Sequence, residues 1–319
     1  MSESLIVTAP SRLHFGMFSF GHPTLRQFGG AGVMIDGSPL TLRIDPSSEF
    51  AAVGSAAERI RGVLERVRAT EWGRSLSPCR LEVTAAPRSH VGLGSGTQTA
   101  LSVVAGLRAW AKLPPLEAFG LAELSGRARR SAVGLHGFLH GGLIVEAGRL
   151  PHESVAPLAA AASLPASWRF VLICPRAEEG LSGERERAAF ATLPPVSPAL
   201  TDELCRLALL ELLPAARVGD FAGFAEAAYH FGAAAGRCFK SHQAGVYATE
   251  PLARLVERIR ASGVAGVGQS SWGPTLFTLH PTDDAAQRFL AECASWPDAG
   301  DYEFTLASAN RGGAKIESV

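Results

Sequence analysis

The sequence predicts an α+β fold divided into two domains. Short apolar strands alternate with segments of helical periodicity along the 319 residues. A composition of 47% hydrophobic and 19% charged residues describes a globular protein with a sizeable core. Residues 150–168 are rich in Ala, Pro and Ser and only weakly periodic. A chain of this length can hold two domains or one large one; with the boundary in this stretch, we predict one domain over residues 1–165 and a second over residues 166–319.

In the first predicted domain, apolar alternation indicates strands at residues 5–8, 12–18, 33–35, 40–44 and 81–84. Residues 57–68 carry apolar side chains on one helical face, and the charges of that helix, Arg59 among them, are expected to face solvent. In the second strand, Arg12 and His14 share one face. A guanidinium beside an imidazole suits an anionic substrate, and plain solvation on an edge strand is an equally open interpretation.

A glycine-rich segment dominates the first domain. Residues 87–101 read PRSHVGLGSGTQTAL, follow a strand and lead into a segment of helical spacing. Closely spaced glycines at a helix N-terminus let backbone amides converge on an anion, so we predict a phosphate or pyrophosphate site. A glycine-rich turn without a ligand is the alternative. The candidate ligand-binding residues are Gly92, Gly94, Ser95, Gly96, Thr97 and Gln98.

Residues 127–148 form a second unusual region of cations, histidines and glycines that runs into a strand. His136 and His140 have the helical spacing of a metal pair, but the segment lacks the Glu of an HExxH motif and a clear third ligand. Substrate hydrogen bonding or packing is therefore the favoured role of these histidines. Arg130 is a candidate for binding an anionic substrate.

Two loops in the second predicted domain are further candidates for ligand contact. A Gly-Leu-Ser-Gly turn at residues 180–183 places Ser182 before a helix, which suits a second anion contact. Near residue 270 a glycine-rich loop precedes a strand, and a tight connection is its plain alternative. The candidate substrate-binding residues in this loop are Gln269, Ser270, Ser271 and Trp272.

Charge and cysteine usage narrow the class of protein. Thirty basic and thirty acidic residues cancel, which argues against a nonspecific nucleic-acid binder or a protein held to lipid by charge. The five cysteines are scattered and form no CxxC pair, as expected in a reducing cytosol. Neither a targeting segment nor a run of membrane-spanning length is recognisable in the sequence. We expect a cytoplasmic protein of small-molecule substrates, without nucleic-acid or membrane partners.

Three segments in order carry a family resemblance: APSRLHFG from residue 9, PRSHVGLGSGTQTAL from residue 87 and GVGQSSWGP from residue 266. Together they resemble the superfamily of galactokinase, homoserine kinase, mevalonate kinase and phosphomevalonate kinase, the GHMP kinases. The resemblance implies an N-terminal α/β domain with a left-handed βαβ unit, a C-terminal ferredoxin-like domain and an active site between them. Two departures stand out, since Arg12 replaces the Lys of the APGK motif and Gly134 falls where many members carry the catalytic Asp.

One branch of the superfamily accommodates both departures, the β-ribofuranosylaminobenzene 5′-phosphate synthase family. The resembling segments begin at Arg12, Gly92, Arg130, Gly180 and Gly268. The resemblance implies a transferase of tetrahydromethanopterin biosynthesis that condenses phosphoribosyl pyrophosphate with 4-aminobenzoate, or 4-hydroxybenzoate, and releases CO2 and pyrophosphate. It further implies Mg²⁺ and a homodimer. An ATP-dependent GHMP kinase that recruits its base from elsewhere is the alternative.

The chemistry of this reaction assigns hypothetical roles to the candidate residues. Loss of pyrophosphate leaves an oxocarbenium-like ribose carbon, so the enzyme must stabilise the leaving anion, align two substrates and exclude water. We expect the residues from Gly92 to Thr97 to hold pyrophosphate with Mg²⁺, for which Asp36, Glu178 and Glu179 are candidate ligands. The candidate catalytic residues are Arg12, His14, His136 and His140, with Arg130 beside them for the benzoate or ribose phosphate.

Overall fold

The computed structural model describes residues 3–178, 180 and 183–319. Its strands are β1 (Leu5–Ser19), β2 (Phe28–Pro46), β3 (Ala51–Val53), β4 (Cys79–Ala85), β5 (Leu143–Glu146), β6 (Leu158–Ala162), β7 (Arg169–Pro175), β8 (Val267–Gln269), β9 (Leu276–His280), β10 (Tyr302–Ser308) and β11 (Lys315–Ser318). Its helices are α1 (Ala57–Arg68), α2 (Glu71–Arg74), α3 (Ser95–Trp110), α4 (Ala118–Ser125), α5 (Val133–His140), α6 (Gly183–Thr192), α7 (Pro198–Arg206), α8 (Leu213–Val218), α9 (Phe221–Gly236), α10 (Glu250–Ala261) and α11 (Asp283–Ala294). A π-helical segment, Leu207–Leu212, joins α7 to α8. No helix in the described part of the chain is long and apolar enough to cross a membrane.

The first sheet has the strand order β11-β1-β2-β4-β3, and β5 pairs with both β2 and β6. β3 and β4 run parallel and are connected through α1 and α2, which is the expected βαβ unit. Helix α1 has the predicted bounds, and its buried residues are the apolar ones that the periodicity placed on one face. The other strand pairs of this sheet are antiparallel.

Several short predicted strands merge into two long ones, β1 and β2. Register shifts at Ala9/Ser11 and at His14/Gly16 let β1 continue past Pro10. The second shift also changes the alternation, so that Met17 joins Arg12 and His14 at the cavity described below. Gly30 permits this close pairing, because a Cβ there would lie 2.1 Å from the carbonyl oxygen of Gly16.

The second sheet is antiparallel with the strand order β10-β7-β9-β8. Helices α6 to α10 separate β7 from β8, and α11 separates β9 from β10, which gives the β-α-β-β-α-β order of a ferredoxin-like fold. Sequence reasoning missed β8, which lies in the glycine-rich region of residues 263–274. The domain boundary that we predict at residue 165 lies between β6 and β7, but β11 returns to the first sheet beside β1.

A shared apolar core joins the two sheets. Residues of β1, β2 and β5 pack in one buried cluster with residues of β7, β9 and α9. Phe15 of β1 stacks on Phe277 of β9 with ring centroids 5.1 Å apart, and Phe18 meets Phe231 of α9 edge to face. Because alternate residues of β1 face this core, the residues between them are free to line a site at the junction.

Candidate active site

A cavity of about 970 Å³ opens at the junction of the two sheets. Its walls come from β1, from the glycine-rich segment before α3, from the loop before α5, from α6 and from the loop after β8. Of the predicted residues, the structure brings ten to this cavity. They are Arg12, His14, Gly92, Gly94, Ser95, Gly96, Thr97, Arg130, Ser271 and Trp272.

The glycine-rich segment ends at the N-terminus of α3, as predicted. Gly94 is the N-cap with a φ of 76°, in the left-handed region, and no side chain caps the helix. The amides of Thr97 and Gln98 are satisfied by the Gly94 carbonyl, whereas those of Ser95 and Gly96 have no hydrogen-bond partner among the described residues. Free amides and the helix dipole therefore favour an anion at this wall of the cavity.

Ser270 fixes the glycine-rich segment to β1. Its hydroxyl donates to the Gly92 carbonyl oxygen at 2.7 Å and accepts the backbone N–H of His14 at 3.0 Å. The next amide, of Ser271, donates to the His14 carbonyl oxygen at 2.9 Å. Ser270 is completely buried and does not line the cavity, and its observed hydrogen bonds support the walls.

The cavity is strongly cationic. Among the described residues that line it, six are arginines and one, Glu186, is a carboxylate. Mutual repulsion and burial disfavour six guanidinium groups beside one carboxylate, so an anionic ligand of high charge is the natural counterpart. The six arginines are Arg12, Arg59, Arg127, Arg129, Arg130 and Arg149.

Arg12 shows this imbalance most clearly. Burial lowers the pKa of its guanidinium to about 10, and the charges of Glu186 and Glu146 only partly oppose that effect. Its Nη2 donates to the Gly92 carbonyl oxygen at 3.4 Å, while its buried Nε has no partner in the described part of the chain. An unsatisfied buried cationic donor is costly, and an anion bound by the glycine-rich segment would satisfy it.

Arg130 links the cationic side of the cavity to an aromatic side. Its Nη2 pairs with Glu186 of α6 at 2.8 Å, and its Cζ lies 4.6 Å from the ring centroid of Phe190. Phe190 meets Trp272 edge to face at 5.6 Å and Phe28 at 6.4 Å. With Met17, these three rings form an apolar wall, which suits a flat aromatic ligand beside the arginines.

His14 is held in the cavity wall by a hydrogen-bonded group behind it. Its Nε2 lies 3.0 Å from the hydroxyl of Ser131, which donates to Oε1 of Glu146 at 2.6 Å. Burial, and secondarily the charge of Arg12, lowers the pKa of His14 well below its ordinary value. Burial raises the pKa of the Glu146 carboxyl to about 7. A neutral imidazole therefore faces the cavity at pH 7.

Two of the predicted catalytic residues lie away from the cavity. His136 is buried in α5, where its Nε2 lies 2.9 Å from the carbonyl oxygen of Ala156, so its role is packing. His140 is exposed at the end of α5. Neither lines the cavity, and the described residues contain no group of three or more metal-binding side chains. Four-residue spacing put both on α5 without bringing either to the site.

The two predicted glutamine contacts are also absent from the cavity lining. Gln98 is buried in α3 and donates to the Gly134 carbonyl oxygen at 3.0 Å. Gln269 accepts from the Ala248 amide at 2.8 Å and donates to the Ser271 carbonyl oxygen at 3.1 Å, so it shapes the loop after β8. Neither lines the cavity. Ser182 lies outside the described residues.

The candidate magnesium ligands do not converge on the cavity. Asp36 is exposed and accepts a hydrogen bond from Asn310, and Glu178 does not line the cavity. Glu179 lies outside the described residues. Glu186 is the lining carboxylate of the described part of the chain, and it is paired with Arg130. These residues do not fit a metal site built by the protein, so no catalytic step is derived through a resident metal.

Sequence reasoning missed four of the cavity arginines. Arg59 was expected to face solvent on α1, but a Cβ added at Gly96 would lie 3.3 Å from its guanidinium carbon. Arg127 and Arg129 belong to the basic run before α5, whose density of cations was the available signal. Arg149 lies 90 residues from Arg59 in sequence, and only the folded sheet brings them to one cavity.

Gly134 adjoins this site. A Cβ at this position would lie 3.4 Å from Thr97 Cγ2 and 3.7 Å from Arg12 Cδ. A side chain here would therefore point between Arg12 and the glycine-rich segment. The chain has no carboxylate at the position where the GHMP resemblance places the catalytic Asp of the kinases.

Comparison with curated proteins gives relatives that span most of the chain. β-Ribofuranosylphenol 5′-phosphate synthase of Methanothermobacter thermautotrophicus is 28% identical over 300 residues, covering 88% of this chain and 89% of the relative. The protein of that name from Archaeoglobus fulgidus is 29% identical over 291 residues, covering 86% and 87%. The family model for the C-terminal region of GHMP kinases matches residues 210–298.

Solved structures agree on the fold. Mevalonate-3-kinase of Thermoplasma acidophilum, with mevalonate 3-phosphate and ADP bound, superposes with a TM-score of 0.72 at 14% identity, covering 99% of both chains. Mevalonate diphosphate decarboxylase of Staphylococcus aureus gives 0.70 at 14% identity, covering 100% of this chain and 99% of its own. The resemblance inferred from the sequence is confirmed: the chain has the GHMP-kinase fold and is similar over most of its length to β-ribofuranosylphenol 5′-phosphate synthases.

Proposed function

We propose that this chain condenses phosphoribosyl pyrophosphate with a 4-substituted benzoate, 4-hydroxybenzoate or 4-aminobenzoate, to give a β-C-riboside 5′-phosphate in tetrahydromethanopterin biosynthesis. Carbon dioxide and pyrophosphate leave. The observation that carries the proposal is the cavity in which six arginines and a free helix N-terminus face an aromatic wall. The printed name of the relatives, a ribofuranosylphenol phosphate synthase, supports the same reaction class.

The cationic side fits a substrate with a phosphate at each end. The glycine-rich segment and Arg12 would take the pyrophosphate, where helix amides and the unsatisfied Nε meet its oxygens. Arginines of the basic run before α5 would take the 5′-phosphate. As the bond between the anomeric carbon and pyrophosphate breaks, negative charge grows on the leaving group, and these fixed cations stabilise it.

The aromatic side fits the acceptor. Phe28, Phe190 and Trp272 would pack against the ring and exclude water from the electron-poor ribose carbon. The ring carbon that bears the carboxylate attacks that carbon, and the carboxylate then leaves as CO2 and returns its electron pair to the ring. Decarboxylation takes the place of proton loss from the ring, so no strong base is needed at the reacting carbon.

The alternative, an ATP-dependent small-molecule kinase, fits this cavity less well. Such a kinase needs a group that accepts the proton of the substrate hydroxyl. The GHMP resemblance places that group, an Asp, at residue 134, where this chain has Gly134, and the carboxylate on the described lining, Glu186, is engaged by Arg130. A synthase that keeps the phosphate-binding geometry of the fold but does not transfer a phosphoryl group has no need of either carboxylate as a base.

Two further parts of the proposal follow from the resemblance. Mg²⁺ would enter bound to the pyrophosphate of the substrate, and few protein side chains would coordinate it. The chain would act in the cytoplasm as a homodimer, which sedimentation analysis at micromolar concentration can test against a monomer.

Carboxyl-labelled benzoate tests the proposed reaction. Incubated with phosphoribosyl pyrophosphate and Mg²⁺, the protein should release labelled CO2 and pyrophosphate in equal amounts from 4-hydroxybenzoate, 4-aminobenzoate or both. The control is the same incubation with ATP in place of phosphoribosyl pyrophosphate. Absence of labelled CO2, with ATP consumed in the presence of an alcohol, would favour the kinase.

A further inference from the structure

A buried carboxylate, that of Glu146, lies behind His14, and few other charged groups surround it. Glu146, the last residue of β5, has 0% of its surface exposed. The strands on either side, β2 and β6, place Gly30 and Leu158 opposite it. The charged and titratable groups that face it come from β1, namely Arg12 directly and His14 through Ser131, while the start of α5 contributes backbone amides.

When Glu146 is ionised, the hydrogen bonds around Ser131 fix the direction of each donor. Ser131 donates its only hydroxyl proton to Glu146 Oε1, and its oxygen accepts the Val133 amide at 3.3 Å. Glu146 Oε2 is occupied by the Ala132 amide at 2.7 Å. The remaining lone pair of the Ser131 oxygen must therefore accept a proton from His14 Nε2. This tautomer leaves Nδ1 unprotonated, and Nδ1 has no hydrogen-bond partner among the described residues.

The same three groups fit a second arrangement with one more proton. If Glu146 is protonated, it donates to the Ser131 oxygen, and Ser131 donates to His14 Nε2. Nδ1 of His14 then carries the proton. Both arrangements keep every hydrogen bond, and neither creates an imidazolium beside the guanidinium of Arg12. We call the three residues Glu146, Ser131 and His14 the relay.

We infer that the relay removes the hydroxyl proton of a phenolic acceptor, with His14 Nδ1 as the contacting base and Ser131 and Glu146 as positioning residues that act through it. The inference rests on the proposed function and deepens it, because it makes 4-hydroxybenzoate the acceptor for which the chain is built. The amine of 4-aminobenzoate has no need of this step.

The proton balance separates the two acceptors. The hydroxyl proton moves to His14 Nδ1, the Nε2 proton moves to Ser131, and the Ser131 proton moves to Glu146. The resulting phenolate pushes electrons to the carbon that bears the carboxylate, which bonds to the ribose carbon as pyrophosphate leaves. Loss of CO2 regenerates a phenolate, which takes its proton back from the relay. In 4-aminobenzoate the nitrogen lone pair supplies the same push without any proton transfer.

The position of His14 suits this role. Along β1, His14 lies between Arg12, on the cationic side of the cavity, and Met17, on the apolar wall. The raised pKa of Glu146, about 7, also matches a group that must accept and return a proton near neutral pH.

The first test compares the two acceptors in relay variants. In Glu146→Gln the amide N–H donates to Ser131 and fixes His14 in the Nδ1–H tautomer, and Ser131→Ala breaks the connection. Both should lower the ratio of kcat for 4-hydroxybenzoate to kcat for 4-aminobenzoate by about a hundredfold, a typical size for a lost general base. The matched control Glu82→Gln, on β4 of the same sheet, should keep the wild-type ratio.

The pH profile provides a second readout, with its sign fixed by the need for an ionised Glu146. The kcat/KM for 4-hydroxybenzoate should fall tenfold per pH unit below a midpoint near pH 7, set by the raised pKa of Glu146. The profile for 4-aminobenzoate should lack this limb, and Glu146→Gln should remove it from the profile for 4-hydroxybenzoate.

Nitrogen-15 NMR of His14 tests the relay without turnover. The wild-type protein should show the Nε2–H tautomer above pH 7, and Glu146→Gln should show Nδ1–H throughout. Equal losses with both acceptors in the relay variants, or an Nδ1–H tautomer in the wild type at pH 8, would overturn the relay alone. A wild-type protein that releases CO2 from neither benzoate would instead overturn the proposed function.

Discussion

At the scale of single residues, the cavity is defined by charges that lack partners. Arg12 Nε and Arg130 Nη1 are both buried without an acceptor in the described part of the chain. A folded protein rarely leaves such cationic donors unsatisfied, and two of them in one cavity indicate where an anion binds. The alternation of β1 predicted that Arg12 and His14 share one face, and the structure places both in that cavity.

Replacing Arg12 tests this interpretation. Arg12→Met keeps the apolar stem and removes the guanidinium, so the Kd for phosphoribosyl pyrophosphate should rise about 30-fold, equivalent to about 2 kcal/mol for a lost charged hydrogen bond. Calorimetry without the benzoate measures this directly. Arg43→Met, at an exposed residue paired with Asp45 outside the cavity, is the control and should leave the Kd unchanged. Equal affinities of the two variants would count against pyrophosphate binding at Arg12.

The other arginines of the cavity were harder to predict than Arg12 and His14 of β1. Periodicity correctly placed the buried face of α1, and by the same logic it assigned Arg59 to solvent. A cavity is also a surface, however, and a one-dimensional pattern does not distinguish its wall from the outside of the molecule. Glu146 was not identified from the sequence either. A strand prediction does not show which groups the carboxylate at the end of the strand will contact.

At the scale of elements, the glycine-rich segment and the loop after β8 form one structural unit. Ser270 bonds to both Gly92 and His14, so three segments far apart in sequence hold the anion site together. The sequence predicted the glycine-rich segment and α3 well, since glycine spacing and helical periodicity are local signals. It could not predict that Ser270 faces the protein, because the partner groups lie on other elements.

A pair of glycine substitutions tests this unit. At Gly92 the backbone has a φ of 87°, and an added Cβ would lie 2.4 Å from the Ser270 carbonyl oxygen. Gly92→Ala should therefore lower the free energy of unfolding by more than about 1 kcal/mol and weaken phosphoribosyl pyrophosphate binding.

The matched control is Gly62→Ala in α1, where an added Cβ meets nothing within 4 Å. This change should raise the free energy of unfolding by about 0.5–1 kcal/mol, because alanine is the better helix former. Denaturant unfolding and calorimetry measure the two effects. If Gly92→Ala leaves the free energy of unfolding and the Kd for phosphoribosyl pyrophosphate unchanged, the segment does not depend on its contact with Ser270.

At the scale of the whole molecule, a kinase-like fold surrounds a cavity suited to different chemistry. The order of motifs identified the fold from the sequence, and the superpositions on GHMP-fold enzymes confirm it. The path of the last strand was not predicted, since β11 pairs with β1 across almost the full length of the chain. That pairing ties the C-terminus to the strand that carries Arg12 and His14.

Formation of a carbon–carbon bond separates the proposed reaction from phosphoryl transfer, and doubly labelled substrates detect that bond. Phosphoribosyl pyrophosphate labelled with carbon-13 at the anomeric carbon is incubated with 4-hydroxybenzoate labelled at the ring carbon that bears the carboxylate. We predict a product in which these two carbons show one-bond coupling by NMR. Absence of this coupling, with ATP instead yielding a phosphate ester of an added alcohol, would contradict the proposed synthase reaction.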